Sequence, residues 1–278
     1  MKVAALSPAL FQALTGGRRP GAPGSRIECH DRVVSTQDLL KEQLRQRPFP
    51  PDGTLVLARE QTAGRGRMGR TWLSPRDQGL WFSLLLPPAV RVSQAMRWVN
   101  GMLAATALCR VLRSYYGLEA CLKFPNDVLV KRRKLAGFLL ETCGRPGRLV
   151  LGAGINLFQE RRELNRALGP WCTSVALEYR RPFSPYRFLD RYLRDLESLQ
   201  QECQDDAGAI VRRAREYLYL SPEQATLRAG NRQLKGWIKD ISPEHGILFQ
   251  SLTGEQRFVP WGSVVTVTYE SPEPPFSL

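Results

Sequence analysis

The sequence predicts an α+β protein, in which a mixed β-sheet carries helices on one side and a small all-β barrel follows it. Two observations predict this architecture. Patterns of buried strands and amphipathic helices succeed one another up to about Ser221. Short strands separated by Gly-containing turns then fill residues 224–269, a regular spacing typical of a small barrel. A membrane span is not expected, because no run approaches the roughly 20 apolar residues that it needs.

Capping signals and periodicity predict the individual elements of the first part. Ser35, followed three residues later by Asp38, resembles a capping box and predicts a helix to about Arg45. The predicted strands cover 54–58, 79–86, 120–124, 128–130, 135–142 and 149–155. The other predicted helices cover 95–115, 187–204 and 207–217. The basic run KRRK at 131–134 is predicted to form a charged hairpin turn between two strands.

Changes in composition divide the chain into three predicted parts. Residues 1–25 are rich in Gly, Pro and Arg and are expected to form a mobile leader. Residues 26–221 are expected to form the main domain, and residues 222–278 the barrel domain. The N-terminus makes a poor signal peptide, so a cytoplasmic protein is expected.

Charge and cysteine content restrict the function without identifying it. The chain has 40 Lys and Arg against 26 Asp and Glu, a net charge of +14, which favours polyanions or acidic protein partners. Arginines spread over a whole chain are equally typical of a solvated surface. The six cysteines are scattered without a CxxC pair, and the two histidines form no cluster, so no metal-ligating residues are predicted.

Residues 61–72, QTAGRGRMGRTW, form the most unusual segment of the sequence. Glycine lets the backbone approach a ligand closely, and arginine suits carboxylate and phosphate. Their alternation at the end of a strand, beside Trp72, predicts an anion-binding loop. The segment formally matches a GxGxxG dinucleotide fingerprint, but the following TWLSP is not a helix start, and no Walker A lysine closes the loop.

Three further stretches suggest binding chemistry. Lys134 leads into the apolar strand LAG, where its charge can be drawn inward to act on an anion. KFPND at 123–127 is either a rigid Asx-type turn or a set of groups that contact an adenine edge or a magnesium ion. GAGIN at 152–156 ends a strand with small residues, which permits either a tight turn or a ligand lying against the backbone. These groups suit charge stabilisation on phosphate.

Four blocks together resemble the biotin protein ligase family: GRGRMGRTW at 64–72, KFPNDVLVKRRKLAG at 123–137, LLET at 139–142 and GAGINL at 152–157. The resemblance spans about Ile27 to Tyr269. It implies a class II synthetase-like, lipoate-ligase-like catalytic domain that binds biotin and ATP, followed by an SH3-like barrel. It also implies an ATP-dependent enzyme that converts biotin to biotinyl-5′-AMP and then transfers biotin to a lysine of a biotin carboxyl carrier protein, that of acetyl-CoA carboxylase.

The resemblance also assigns site residues, with ATP and biotin as substrates and Mg²⁺ as the accompanying ion. The implied catalytic residues are Arg65, Lys134 and Asp127, and Arg65 is expected to help retain the intermediate. The implied biotin-binding residues are Ser35, Thr36, Gln61, Gly64, Arg65, Lys134 and Gly137, with the strand 81–86 as an apolar wall. The implied adenylate-binding residues are Arg65, Arg67, Arg70, Trp72, Asn126, Gly152, Gly154 and Asn156. Val34, Gln37 and Met68 depart from the common family pattern.

Two other functions remain open at this stage. A lipoate ligase or octanoyl transferase shares the fold, although Gln61, the Gly/Arg loop and the predicted barrel favour biotin. A nucleic-acid-binding protein is suggested by charge alone. Residues 1–25 are too short for the winged helix-turn-helix of some family members, so a form without that DNA-binding domain, with no specific DNA or membrane binding, is expected. The sequence is compatible with a homodimer.

Overall fold

A seven-stranded mixed sheet organises the first part of the chain in the computed structural model, which describes residues 17–86, 97–143, 148–203 and 206–270. Its strands are β1 (Arg26–Val33), β2 (Thr54–Gln61), β3 (Gly79–Leu85), β4 (Ala120–Lys123), β5 (Asp127–Val130), β6 (Arg133–Cys143) and β7 (Arg148–Asn156). They lie in the order β1-β2-β3-β7-β6-β5-β4. β1 and β2 are parallel, and all other neighbours are antiparallel. The predicted mixed sheet is therefore confirmed.

The helices are α1 (Thr36–Gln43), α2 (Arg97–Tyr116), α3 (Arg161–Leu168), α4 (Val175–Tyr179), α5 (Pro185–Glu202) and α6 (Ala207–Arg215). Four of them, α1, α2, α5 and α6, correspond to predicted helices with ends shifted by a few residues. Positions 95, 96 and 204 of those predictions lie outside the described residues. The sequence did not predict β1, α3 or α4, because these elements are short or mostly polar and bury little apolar surface.

Helices cover both faces of the large sheet, so the predicted one-sided arrangement is wrong. On one face, Leu40 and Leu44 of α1 and the segment after it pack against Val56, Leu85 and Val150. On the other face, α2 and α5 join the main apolar core; Tyr192 of α5, for example, stacks on Phe138 of β6. The central strands are apolar at successive positions, which is the pattern of strands buried on both faces.

The C-terminal strands form a second, open sheet. They are β8 (Ala225–Ala229), β9 (Arg232–Ser242), β10 (Gly246–Ser251), β11 (Gln256–Val259) and β12 (Val264–Tyr269), in the antiparallel order β11-β10-β9-β8-β12. The predicted closed barrel is not confirmed. A 3₁₀ turn at Trp261–Ser263 connects β11 to β12, which pairs with β8, so β11 and β12 become the two edges of the sheet.

The two sheets share one apolar core. The rings of Phe124 and Trp261 lie 5.9 Å apart, and Trp98 Nε1 donates a 3.1 Å hydrogen bond to the carbonyl oxygen of Val264. These contacts hold the C-terminal sheet against the β4–β5 end of the large sheet. Of the helices in the described ranges, none has the length and apolarity needed to cross a bilayer.

Part of the predicted leader packs on α5. The side chain of Arg18 is 3% exposed and lies 2.7 Å from Oδ1 of Asp190. Ala22 is also buried. Residues 1–16 of the predicted leader lie outside the described residues.

Candidate functional site

A cavity of about 320 Å³ opens where the Gly/Arg loop, the start of α1, the β4–β5 turn, β6, β7 and β12 meet. Most of the residues singled out from the sequence line it. They are Ser35, Thr36, Gln61, Arg65, Arg67, Arg70, Trp72, Asn126, Asp127, Lys134, Gly137, Gly152 and Gly154. Segments far apart in the chain thus form one site.

Gly64 and Asn156 do not line this cavity. The carbonyl oxygen of Gly64 accepts a 2.8 Å hydrogen bond from the backbone nitrogen of Trp72, so Gly64 belongs to the base of the loop. Asn156 is 3% exposed and donates a 3.1 Å hydrogen bond to the carbonyl oxygen of Thr173, while its Oδ1 accepts one from Gln159. Its amide therefore connects the end of β7 to the segment that follows α3.

The indole ring of Trp72 lies against two strands that present glycine to it. A Cβ atom on Gly154 would come within 2.2 Å of the ring, and one on Gly137 within 2.9 Å. The loop that carries Trp72 folds back on itself, because the backbone nitrogen of Gly66 donates to the carbonyl oxygen of Arg70 at 2.6 Å. Close approach of ring and backbone explains why glycine is needed at both strand positions.

Uncharged polar groups form one end of the cavity. Thr36 donates to Gln61 Oε1 from both its backbone nitrogen (2.9 Å) and its hydroxyl (3.1 Å). The hydroxyl groups of Thr36 and Ser83 are 2.9 Å apart, and Ser83 donates to Oε1 of Gln37 at 2.9 Å. Ser35 begins α1, its hydroxyl accepting from the backbone nitrogen of Asp38, and so orients this segment. This network offers amide and hydroxyl partners to a neutral polar group.

Two cations, Lys134 and Arg67, line another part of the cavity. Lys134 Nζ lies 2.7 Å from Oδ2 of Asp127 and 5.3 Å from the centre of the Trp72 ring. Arg67 donates to Oδ1 of Asn126 at 2.8 Å, and Asn126 in turn donates to the carbonyl oxygen of Phe138 at 2.6 Å. Burial lowers the pKa of Arg67, and an arginine nevertheless stays charged at neutral pH. This end suits an anion.

Arg65 has different partners from Arg67. Its Nη2 lies 2.7 Å from Asp38 Oδ1 and 2.9 Å from Glu141 Oε2, so two carboxylates share its charge. The residue is exposed, whereas Arg67 is half-buried. The two arginines of the loop therefore lie in different electrostatic environments although only one residue separates them.

Residues of β12 also line the cavity, and sequence reasoning missed them. Thr268 and Tyr269 reach it from the far end of the C-terminal sheet. Lys123, which lies in the KFPND block but was not selected, pairs with Glu223 at 2.7 Å and lies 4.7 Å from the centre of the Tyr269 ring. Burial, together with the charges of Asp127 and Glu223, raises the pKa of Tyr269, so its phenol is neutral at pH 7. No local pattern in the sequence indicates these contacts.

Comparison with known proteins places the chain in a family. The family model described as the biotin/lipoate A/B protein ligase family matches residues 29–156. A biotin--[acetyl-CoA-carboxylase] ligase from Paracoccus denitrificans is 39% identical over 233 residues, which cover 81% of this chain and 95% of that protein. The ligase of the same name from Mycobacterium tuberculosis is 34% identical, with 77% of this chain and 79% of that protein covered.

One bifunctional relative aligns over a shorter region, and one solved structure aligns over most of the chain. The bifunctional ligase/repressor BirA of Bacillus subtilis is 33% identical over 163 residues, which cover 58% of this chain and 49% of that protein. The chain therefore spans about half the length of this relative. A solved structure of biotin protein ligase from Aquifex aeolicus in complex with biotin and ATP has a TM-score of 0.69 at 23% identity, covering 88% of this chain and 100% of that one, which shows a shared fold. Taken with the two longer alignments, these similarities show that the chain belongs to the biotin protein ligase family.

Proposed function

We propose that this chain is an ATP-dependent biotin ligase, which adenylates biotin and transfers it to a lysine of the biotin carboxyl carrier protein of acetyl-CoA carboxylase. The observation that carries the proposal is a single cavity with a neutral hydrogen-bonding end at Thr36 and Gln61 and a cationic end at Lys134 and Arg67. Biotin has a matching distribution of groups, with a neutral ureido ring and a carboxylate on a flexible tail.

In the first step, a biotin carboxylate oxygen attacks the α-phosphorus of ATP, the bond from that phosphorus to the bridging oxygen breaks, and pyrophosphate leaves. Two anions must approach each other, so cations that stabilise the developing charge lower the barrier. Lys134 reaches the carboxylate and the α-phosphate in this proposal. Its pairing with Asp127 holds the ammonium group at the cavity wall before the substrates arrive.

In the second step, a carrier lysine in its amine form attacks the carbonyl carbon of biotinyl-5′-AMP. An amide bond forms, the bond from that carbon to the phosphate oxygen breaks, and AMP leaves. Asp127 lines the cavity and can accept a hydrogen bond from the incoming amine. Trp72, held against Gly154 and Gly137, covers the reactive anhydride and limits its contact with water.

Mg²⁺ is proposed to enter bound to the phosphates of ATP. In the described parts of the chain, no group of three or more His, Cys, Asp or Glu residues could hold a metal ion by itself. Asp127 lines the cavity and supplies a carboxylate, and one or two carboxylates with substrate phosphates are a common magnesium environment. The residues present therefore fit an ion that arrives with the nucleotide.

The remaining expectations belong to the same proposal. Residues 26–221 are the catalytic domain, and residues 222–278 are an SH3-like domain whose β12 contributes to the nucleotide end. A cytoplasmic location is supported by six free cysteines, which are usual in a reducing compartment. A homodimer is compatible with β1, an edge strand that pairs with β2 alone among the described strands.

Pyrophosphate release tests the proposal. The protein is incubated with ATP and Mg²⁺ and with either biotin or lipoate, and a carrier domain is then added to the same tube. Release with biotin, followed by a carrier mass gain of one biotinyl group, is the expected result. Release with lipoate alone would contradict biotin as the substrate and would remain consistent with the family. No turnover with either compound would overturn the catalytic proposal.

A further inference from the structure

A buried carboxylate outside the cavity forms ion pairs with three cationic side chains. Glu178 lies on α4, and its side chain is 4% exposed. Its oxygens lie 3.2 Å from Lys131 Nζ, 3.5 Å from Arg161 Nη2 and 3.9 Å from Arg133 Nη1. Burial by itself would raise the pKa of Glu178, but hydrogen bonds from Thr173 and Lys131 and the neighbouring cations hold that pKa below its usual value. The group is therefore ionised at neutral pH.

Two of these cations lie at the tight turn between β5 and β6: Lys131 belongs to the turn, and Arg133 is the first residue after it. The turn residues Lys131 and Arg132 have φ angles of +49° and +63°, the left-handed region that glycine or asparagine normally occupies. This conformation is strained for residues that carry a Cβ atom, and it persists where surrounding contacts hold it. Glu178 supplies such contacts, because it binds the side chains of Lys131 and Arg133 on the two sides of Arg132.

A second connection runs from Glu178 to the backbone of Lys134. The hydroxyl of Thr173 donates a 2.6 Å hydrogen bond to Glu178 Oε1. The backbone nitrogen of Thr173 donates a 2.9 Å hydrogen bond to the carbonyl oxygen of Lys134. Arg161 also binds the Thr173 hydroxyl and the carbonyl oxygen of Cys172, so this segment is held from both sides. The backbone of Lys134 is thus connected through Thr173 to Glu178, the same carboxylate that binds the turn before it.

We propose that Glu178 is a positioning residue for adenylation: it fixes the β5–β6 turn and Thr173, and through them the reach of Lys134 into the cavity. This inference rests on the proposed function, in which Lys134 acts on the carboxylate and the α-phosphate. Glu178 is not among the residues that line the cavity. Its effect on rate is therefore exerted entirely through Lys134.

Glu178→Gln is the main test, because the amide retains the size of the side chain and can still accept from Thr173, while the charge that binds Lys131 and Arg133 is lost. Displacing a catalytic group by about 1 Å can cost up to 10²-fold in rate, so we expect kcat for biotin-dependent pyrophosphate release to fall about tenfold. The KM for biotin should change less than about twofold, since the ureido end of the cavity is untouched. Glu202→Gln is the matched control, since Glu202 also serves two arginines, Arg110 and Arg213, on a distant surface.

Combination with Lys134→Ala separates positioning from a general structural role. If Glu178 acts through Lys134, Glu178→Gln should lower kcat no further when Lys134 is already alanine. An equal further loss of kcat in the Lys134→Ala protein would overturn the inference. An unchanged kcat in Glu178→Gln alone would overturn it as well.

If Glu178→Gln folds poorly, the double variant Lys131→Ala/Arg133→Ala tests the same contacts, because those side chains are 66% and 43% exposed. The same selective loss of kcat is then expected, and an unchanged kcat would overturn the inference.

The wild-type protein separates this inference from the proposed function. A wild type that releases no pyrophosphate with biotin would overturn the proposed function and the inference with it. An active wild type with a fully active Glu178→Gln variant would overturn the inference alone.

Discussion

Arg65 and Arg67 differ in environment although both belong to the Gly/Arg loop. Arg65 is exposed and bound by Asp38 and Glu141, whereas Arg67 is half-buried and hydrogen-bonded to Asn126 within the cavity. The sequence pattern does not distinguish these two arginines. The resemblance implied that Arg65 helps to retain the intermediate. In the structure it is Arg67 that contacts Asn126, whereas Arg65 shares its charge with Asp38 and Glu141.

We therefore expect Arg67→Ala to release more biotinyl-5′-AMP into solution than Arg65→Ala. The measurement is chromatography of free adenylate after one turnover without carrier, with wild type as reference. Equal release from the two variants would show that the contact with Asn126 does not control retention of the intermediate.

Lys134 is the cation with the most direct access to both reacting groups in the proposed mechanism. Removing one preorganised charge contact to a transition state commonly costs about 10²–10³ in rate. Lys134→Ala should therefore lower the rate of pyrophosphate release by about that factor, measured against Lys239→Ala, an exposed lysine of β9. A near-normal rate in Lys134→Ala would exclude Lys134 from the adenylation step.

Gly154 is required by the position of Trp72. A methyl group there would come within 2.2 Å of the indole, so Gly154→Ala should force the ring away from β7 and open the cavity to water. We expect the KM for ATP to rise at least tenfold in pyrophosphate-release assays, which would correspond to about 1.4 kcal/mol of binding. Wild type measured in the same assay is the reference. An unchanged KM would mean that Trp72 does not cover the nucleotide.

At the scale of elements, α5 carries a carboxyl group whose ionisation is unfavourable. Burial raises the pKa of Asp195 to about 6 from an ordinary 3.8, Glu202 adds to the rise, and Arg110 opposes it. Its buried Oδ2 has no hydrogen-bond partner among the described residues. The folded state therefore binds this proton more tightly than the unfolded chain, and the contribution of Asp195 to stability declines as pH rises from about 4 to about 6.

Asp195→Asn should consequently stabilise the protein more at pH 8 than at pH 4.5, relative to wild type. The comparison is made between melting temperatures of the two proteins at each pH, which cancels the contributions of the other carboxylates. A variant whose relative stability is greater at pH 4.5 than at pH 8 would contradict the assignment.

The elements also show where prediction from sequence succeeded. Apolar strands, amphipathic helices and the N-cap at Ser35 were predicted because each depends on residues close in the chain. β1, α3 and α4 were missed because they are edge or surface elements, in which burial leaves little periodicity. The predicted C-terminal barrel is not confirmed, because the same strand spacing suits an open sheet and a barrel, and the difference lies in which edges pair.

At the scale of the whole molecule, the two sheets are expected to unfold together. Trp261 is 7% exposed in the core that they share, and it leads directly into β12, which carries Tyr269 to the cavity. Trp261→Ala should cost about 3–5 kcal/mol in unfolding free energy. It should also raise the KM for ATP, because β12 loses its support.

Urea denaturation followed by circular dichroism measures that cost, and Phe258→Ala is the control because Phe258 is 44% exposed. A single transition is expected for wild type and for both variants. Two separate transitions in wild type would contradict a shared core and would favour two independently folded domains.

The sequence by itself determined the main strands and helices and the family blocks, since these depend on local pattern and on short motifs. Most of the site residues that it singled out also line the cavity. Only the tertiary structure decided which loop arginine hydrogen-bonds to Asn126, that Asn156 supports the segment after α3, and that β12 reaches the cavity. It also brought Glu178 to the turn before Lys134. These contacts join residues far apart in the chain, and their energies depend on burial and distance, which a linear pattern does not contain.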